Sequence, residues 1–359
     1  MTRLEERAPT SAPSDLLTSK TEMVHQQSVQ SQRQPSEQSE ADDPHGRSAD
    51  SPTEVPKKGW LDILTRTKEE LAQDNLSIVA AGIAFYWFLA FIPALGAVIS
   101  IYALVADPAQ VSEHLSLLNQ VMPAEIMPML REQLTRLTSA DQAAGISAII
   151  SFVLALYGSS KAATALIQGL NIAYDEEEKR GFLKLQAIAL LLTVCGVIGA
   201  VFAIGLVAVL PSILGHMHLG KGAALFASIL RWPILIGGFM LALAVVYRYA
   251  PSRDEPKWRW VSWGAVLGAG LWVLGSAAFS IYAATFGNYD KTYGSLGALV
   301  IFLFWLYLTA YTVLIGAELN SEMERQTAKD TTQGPPKPMG QRQAYSADTV
   351  GHARGEKKN

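Results

Sequence analysis

The sequence has 359 residues, of which 50% are hydrophobic and 17% are charged, and its formal net charge is −3 at pH 7. An average soluble domain carries about 25% charged residues, so this composition is unusually apolar. It excludes a chain that is disordered throughout and gives no support to a strongly basic nucleic-acid binder. The single cysteine, Cys195, excludes an intrachain disulfide and a cysteine-based metal cluster.

Both ends of the chain are polar and lack an apolar period. Residues 1–56 are rich in Ser, Gln, Pro and acidic side chains, and residues 321–359 have a similar character. Such segments cannot bury enough apolar surface to offset the entropy lost on ordering. We therefore predict disordered tails over 1–56 and 321–359, on either side of a membrane domain at 57–320.

Two shorter segments have apolar residues at helical spacing. Before the first long apolar run, Trp60, Ile63, Leu64 and Leu71 share one face, which predicts a helix that lies on the inner membrane surface. A similar pattern in the 106–145 connection predicts a small helical cap on the outer end of the bundle.

Six long apolar runs lie within the central domain. They cover about 77–105, 146–172, 187–214, 225–247, 261–286 and 296–317. Each is long enough to cross about 30 Å of hydrocarbon as a helix. Helices of a soluble bundle need a polar face toward water, and these runs are apolar all round. The pattern predicts an all-α fold, a polytopic membrane bundle of six transmembrane helices.

Lysine and arginine residues predict the orientation of the chain. Eleven lie in the segment before the first run and in the 173–186 and 248–259 connections, whereas the 106–145, 215–224 and 287–295 connections hold four. Positively charged connections stay in the cytoplasm. We therefore predict that both termini are cytoplasmic.

Two charged residues lie in or beside the predicted spans. Lys161 is 11 residues from Ile172, the inner end of its span, and a cation at the bilayer centre costs at least about 2.5–3.5 kcal/mol. Lys161 is therefore either a functional group that faces protein or water, or it snorkels from a helix that leaves the membrane early. Glu318 ends the last span, either as an interfacial carboxylate or as a partner of Lys161.

Polar side chains recur along the last two predicted spans and the connection between them. They are Ser276, Ser280, Tyr282, Thr285, Asn288, Tyr289, Tyr293, Ser295, Tyr307, Thr309, Tyr311 and Thr312. Hydrogen bonds between the helices would explain this seam, and so would a lined cavity. The segment 293–297 (YGSLG) permits a close turn or a helix start whose N–H groups face an anionic group.

Small residues and one proline predict how the helices pack and bend. Pairs at four-residue spacing let helices approach closely, either within one bundle or across a homodimer face. The pairs are Gly158 with Ala162, Gly196 with Ala200, Gly199 with Ala203, and Gly264 with Gly268. Pro93 removes one helical hydrogen bond and should kink the first span.

The sequence contains none of the common catalytic motifs. It has no phosphate-binding loop of the Gly-x-x-x-x-Gly-Lys-Ser/Thr type, no His-Glu-x-x-His pair and no Gly-x-Ser-x-Gly elbow. The histidines lie mainly in the tails and outer connections, without the three or four ligands of a metal site. We predict no catalytic residue, no metal ligand and no cofactor.

Several motifs resemble those of the YihY/BrkB family of bacterial inner-membrane proteins, whose members are also labelled ribonuclease BN-like. The resemblance covers about 57–320 and includes 84–93 (AFYWFLAFIP), Ser160-Lys161 and 170–174 (LNIAY). Its most specific part comprises Trp258, Arg259, Trp260, Gly264, Ala265, Trp272, Phe279, Tyr282, Phe286, Tyr289, 293–297 (YGSLG), Trp305, Tyr307 and 316–320 (GAELN). Lys161, Tyr157 and Trp263 depart from the Arg, Trp and Pro that the family often has.

The resemblance implies a six-span protein of the bacterial inner membrane without a settled activity. The ribonuclease label fits the residues poorly, because a metal-dependent nuclease needs several carboxylates or histidines around a cation. We therefore expect no enzyme activity and no nucleic-acid partner. The expected partners are the lipid bilayer, a small anionic or lipid-like substrate and a second copy of the chain.

The leading hypothesis is a protein of transporter or envelope-maintenance type that moves or senses such a substrate. The alternatives are a non-catalytic membrane scaffold or assembly factor and, third, an enzyme acting on RNA or lipid headgroups. The candidate functional residues are Ser160, Lys161, Asn171, Tyr282, Tyr289, Tyr293, Gly294, Ser295, Gly297 and Glu318.

Overall fold

The computed structural model describes residues 43–105, 142–209, 221–285 and 295–356. Within these residues the regular elements are helices, apart from an isolated β-bridge between Pro256 and Thr332. The α-helices are α1 (Lys57–Gln73), α2 (Leu76–Val105), α3 (Gln142–Ala173), α4 (Phe182–Ile204), α5 (Lys221–Tyr249), α6 (Trp258–Thr285), α7 (Ser295–Glu324) and α8 (Tyr345–Asp348). A 3-10 helix covers Pro52–Glu54, and a π-helix, Gly205–Val209, continues α4. The predicted all-helical class is confirmed.

Four segments of the described residues are long and apolar enough to cross a membrane. They are Phe182–Val207, Ile229–Tyr249, Trp258–Tyr282 and Leu299–Glu324, and the pair α1 and α2, bent by 63°, would make a fifth. At most 33% of any of the four apolar windows is buried in the bundle. Such outward apolar surface belongs in lipid rather than water. The count of six spans, the orientation and the kink at Pro93 stay predictions, and the predicted outer cap falls mostly on residues outside those described.

Helix α7 is the central element of the bundle. It packs against α1, α2, α3 and α6, while α5 packs on α6 and α4 packs on α3. The buried apolar core lies at one end, where α2, α3, α5, α6 and α7 meet. Its fully buried large side chains include Leu76, Ile83, Ile167, Leu170, Tyr174, Tyr247 and Leu314.

Glycines allow α6 and α7 to touch backbone to backbone. A Cβ added to Gly316 would lie 2.5 Å from the carbonyl oxygen of Gly264, so only glycine fits. Two polar side chains fix this contact: Asn320 accepts a 2.8 Å hydrogen bond from the Gly264 N–H, and Tyr247 donates a 2.8 Å bond to the carbonyl of Val313. The close approach predicted for Gly264 is confirmed.

The other predicted small-residue pairs do not lie at a close helix contact of the kind seen at Gly264. Among the described residues, an added Cβ at Gly158, Gly196 or Gly199 would meet no atom within 4 Å. These glycines therefore do not bring two of the described helices together. On α3 and α4 the small residues face outward instead, since neighbouring side chains such as Ile198 are exposed.

Residues 43–56 and 325–356 form a folded layer, here called the terminal layer, over one end of the bundle. Arg342 is 4% exposed and donates hydrogen bonds to four backbone carbonyls. The acceptors are Ala328, Lys329, Lys337 and Ala347. Arg47 donates to the carbonyl of Gln326 at 3.3 Å and so joins the two parts of the layer.

The terminal layer differs from the prediction of disordered tails over 1–56 and 321–359. In the parts that the structure describes, order comes from charged and amide side chains that bind backbone groups, with few apolar residues such as Val55 beneath them. A composition argument counts apolar surface only and therefore misses a layer held by satisfied polar groups.

Helix α1 is present as predicted, but its apolar residues do not share one environment. Ile63 is fully buried against Trp260, Leu319 and Met323, whereas Leu64 is 53% exposed. The reason is that the face of α1 that packs on α7 carries both apolar and charged residues. The buried residues of that face include Asp62, Ile63, Arg66 and Glu70.

Substitution Gly264→Ala should lower the unfolding temperature of the detergent-solubilised protein, because the new Cβ would meet the Gly316 carbonyl and the Asn320 side chain. Overpacking of this kind costs about 1–3 kcal/mol. Gly199→Ala is the matched control, since open space surrounds that position. Equal unfolding temperatures for the two variants would contradict the packing described.

Candidate functional site

The last turns of α7 carry a buried ionic cluster. The apolar run ends at Ala317, yet the helix continues to Glu324 because the charged side chains that follow have partners in α1, the loops and the terminal layer. Glu322 and Glu324 are both fully buried. Charges buried to this degree are tolerated only when they are paired and hydrogen-bonded.

Glu322 lies between two arginines. Its carboxylate pairs with the guanidinium of Arg66 from α1 and, at 2.5 Å, with that of Arg325. Arg66 also donates to the Glu322 carbonyl at 3.0 Å and to the side chain of Gln326 at 2.8 Å. Arg325 lies 3.4 Å from the carboxylate of Glu70. These contacts bring the N-terminal part of the membrane domain, α1, together with its C-terminal part, the end of α7.

Glu324 forms a second buried pair, with Arg253 of the α5–α6 loop. The two side chains are 2.6 Å apart and have no exposed surface. The Arg253 guanidinium lies 5.0 Å from the ring centre of Tyr174 at the end of α3, and Thr331 donates to Glu324 at 2.7 Å. Burial acts to lower the pKa of Arg253, but Glu324 outweighs it and raises the pKa above its usual value. The guanidinium therefore stays charged.

Glu318 lies one helical turn before Glu322 and lacks an arginine partner in the ranges that the structure describes. It is 2% exposed, and its Oε2 atom has no hydrogen-bond partner within the part of the chain that the structure describes. The charged groups that act on it most are acidic: Glu322, Asp74, Asp175 and Glu70. A carboxylate in such surroundings has lost its water without gaining a cation in exchange.

Two tyrosines lie on the same face of α7 as Glu318. Tyr307, Tyr311, Leu314 and Glu318 recur at spacings of four, three and four residues, which places them on one helical face. Leu314 fixes the direction of that face, because its Cδ2 atom lies 3.3 Å from where a Cβ of Gly169 on α3 would be. The two tyrosine rings stack with centroids 5.9 Å apart. A polar stripe thus faces α3 and ends at the buried carboxylate.

Lys161 does not meet Glu318 in the described residues. It is exposed on the outside of α3, where its Nζ atom lies 5.5 Å from the ring centre of Tyr157. Of the two interpretations left open by the sequence, this position suits a lysine that extends along the bundle surface.

Ser160 and Asn171 link neighbouring elements. The Ser160 hydroxyl donates to the carbonyl of Tyr157 at 2.6 Å and accepts from the amide of Gln186 on α4. Asn171 donates to Glu178 at 3.0 Å and accepts from the backbone N–H of Ser252 at 2.8 Å. Asn171 therefore ties the α3–α4 loop to the α5–α6 loop beside the ionic cluster.

The polar seam of the last two spans consists largely of hydrogen bonds where the structure describes its side chains. Trp272 donates to Thr309 at 3.1 Å, and Trp305 donates to Ser276 at 3.3 Å, so these bonds join α6 to α7. Tyr282 is 52% exposed and stacks on Phe279. Of the two explanations for the seam, hydrogen bonds between helices account for these described side chains, and a lined cavity is not needed.

Part of the predicted turn motif cannot be placed. Tyr289, Tyr293 and Gly294 lie outside the described residues. Ser295 is the first residue of α7, as expected of a helix start, and Gly297 is buried. No group of three or more metal-ligating side chains occurs in the described ranges.

The comparisons with known proteins agree with a membrane bundle. The family model described as virulence factor BrkB matches residues 67–340. A putative ribonuclease-like protein, YfkH of Bacillus subtilis, is 29% identical over 68% of this chain and 89% of its own. Two UPF0761 membrane proteins are also similar. That of Idiomarina loihiensis is 26% identical over 58% of this chain and 72% of its own, and that of Haemophilus influenzae is 24% identical over 71% and 93%. No solved structure matches the chain.

Substitution Arg253→Met should destabilise the solubilised protein strongly, because it leaves Glu324 buried and unpaired. Breaking a buried pair from one side costs about 3–5 kcal/mol. Lys329→Met breaks the exposed pair with Asp50 and should cost about 0–1 kcal/mol. The double variant Arg253→Met, Glu324→Leu should recover much of the lost stability, and a double variant no more stable than Arg253→Met would contradict the pairing.

Glu178 should give the loop beside the cluster a pH-dependent stability. Partial burial acts to raise its pKa, but hydrogen bonds from Arg180 and Asn171 lower it to about 2 from 4.5. A lowered folded-state pKa stabilises above pH 4.5, and that stability is lost as the pH falls toward about 2. The unfolding temperature of wild type should therefore exceed that of Glu178→Gln at neutral pH, with the difference shrinking across this window. Glu177→Gln, at an exposed neighbour, should show no such trend.

Proposed function

The chain belongs to the virulence factor BrkB family, and from that premise we propose that it is a transporter-like membrane protein that moves a small anionic or lipid-like molecule. The proposal places it in the bacterial inner membrane with both termini in the cytoplasm. The membrane character comes from the family and from the apolar helices. The activity itself is our inference from the chemistry of α7.

Glu318 carries this proposal. An ionisable group inside a membrane bundle is expensive to maintain, and such groups commonly mark the path of a substrate or a proton. Glu322 and Glu324 have arginine partners that hold the bundle end together, whereas Glu318, at the end of the Tyr307–Tyr311 stripe, has no cationic partner among the described residues. A free carboxyl group beside fixed ion pairs can exchange a proton or a polar contact without dismantling the structure.

The surface cation Lys161 fits an anionic substrate that approaches through lipid. Its ammonium group lies on the outer face of α3 next to the face of Tyr157, where a negatively charged headgroup would find both charge and an aromatic surface. In this proposal Lys161 attracts the substrate from the bilayer, and Glu318 acts deeper in the bundle.

A membrane scaffold is the second candidate, and the open glycines of α4 favour it. Gly196 and Gly199 lie on an outward surface where a neighbouring helix from another protein could pack closely. The ribonuclease-like name belongs to the Bacillus subtilis relative. Absence of enzyme activity stays a prediction for this chain.

The test is an untargeted comparison of lipids and metabolites between deletion cells and cells complemented with wild type, Glu318→Gln or Glu177→Gln. We expect wild type and Glu177→Gln to reverse the changes caused by the deletion. Glu318→Gln should reach the membrane at an equal level and fail to reverse them, because the amide cannot exchange a proton. Full reversal by Glu318→Gln would contradict the proposal, and stoichiometric partners in gently solubilised samples would favour the scaffold.

A further inference from the structure

The outward face of α1 has two exposed leucines framed by lysines. Leu61 and Leu64 are 50% and 53% exposed, and Lys57, Lys58 and Lys68 are exposed beside them. Residues 57, 61, 64 and 68 are separated by four, three and four positions and therefore lie along one side of the helix. We call Lys57, Lys58, Leu61, Leu64 and Lys68 the outer face of α1.

Two of the three acidic residues of α1, Asp62 and Glu70, are buried away from this face. Asp62 is buried and binds His45 and the backbone N–H of Arg354. Glu70 is buried near Arg325, and Glu69 lies 3.5 Å from His352 of the terminal layer. The outer face therefore combines an apolar centre with three ammonium groups, and Glu69, 47% exposed, is the one exposed carboxylate of α1 and lies beside this face.

The surroundings of α1 place this face at the level of a membrane surface. The axis of α1 turns 63° away from that of α2, whose sequence is apolar and contains the first predicted span. Trp60 on α1 contacts Trp263 on α6 with ring centres 5.8 Å apart, and Trp263 and Trp258 are 43% and 44% exposed. Exposed tryptophans of this kind typically lie at the boundary between lipid headgroups and acyl chains.

We propose that the outer face of α1 is a binding surface for anionic phospholipids, with Leu61 and Leu64 in the acyl boundary and Lys57, Lys58 and Lys68 on the headgroup phosphates. Its charge complements an anionic headgroup, and its apolar centre suits lipid better than a wholly polar polyanion. The proposal does not depend on transport or on Glu318, so either can fail without the other.

The test uses the full chain in detergent with a fluorophore at Thr65→Cys in a Cys195→Ser background. Thr65 borders the outer face and is partly exposed, so the probe reports on lipid contact while both leucines remain. Titration with phosphatidylglycerol should shift the emission to the blue at a lower lipid concentration than phosphatidylcholine does. High salt should weaken this preference because it screens the ammonium groups.

The lysines are tested by the triple variant Lys57→Gln, Lys58→Gln, Lys68→Gln. Each surface lysine contributes roughly fivefold to attraction by anionic lipid, so the phosphatidylglycerol midpoint should rise at least about tenfold. Lys179→Gln, Lys329→Gln, Lys337→Gln removes the same charge elsewhere and should leave the midpoint unchanged. Unfolding temperatures measured without added lipid verify that all variants fold.

Three results would overturn the proposal. Equal midpoints for the two lipids would show that headgroup charge is not recognised. Equal midpoints for the two triple variants would show that the outer face is not the site. A disulfide-linked dimer of the unlabelled Thr65→Cys protein would show that a second copy of the chain, rather than lipid, covers this face.

Discussion

The pairing of Glu322 with Arg66 and Arg325 is the interaction on which one end of this bundle depends. A carboxylate without exposed surface needs cations and hydrogen bonds, and here they come from Arg66 of α1 and from Arg325, the first residue of the terminal layer after α7. Satisfying one buried charge therefore fixes the place of α1 against α7. The second pair, Arg253 with Glu324, fixes the α5–α6 loop against the end of α7 in the same way.

The same packing isolates Glu318. The helix register that brings Glu322 to its arginines leaves Glu318 one turn further into the bundle, on the same helical face as Leu314 and beside acidic neighbours. A single helix thus carries a charged segment held by ion pairs and, next to it, a carboxyl group for which the described part of the chain supplies no cationic partner. The ion pairs can hold the end of the bundle in place while Glu318 changes its contacts, as the transporter-like activity proposed above would require.

The sequence predicts the helices well because hydropathy determines them: the long apolar segments and α1 were expected on this ground. It predicts the site only in part. Glu318 was a candidate, but Arg66, Arg253, Glu322 and Arg325 were not, because their role depends on which distant charges meet. Opposite charges following an apolar helix were the available signal. The order of residues 325–356 was not expected for the same reason, since it rests on long-range polar contacts.

Hydrogen exchange of the protein in lipid nanodiscs, followed by mass spectrometry, tests the central claim that buried ion pairs organise this end of the bundle. We expect the backbone amides of 318–327 to exchange as slowly as those at the centre of α7, because the helix and its partners are closed there. Exchange of 318–327 within seconds, as in a solvated tail, would contradict the account.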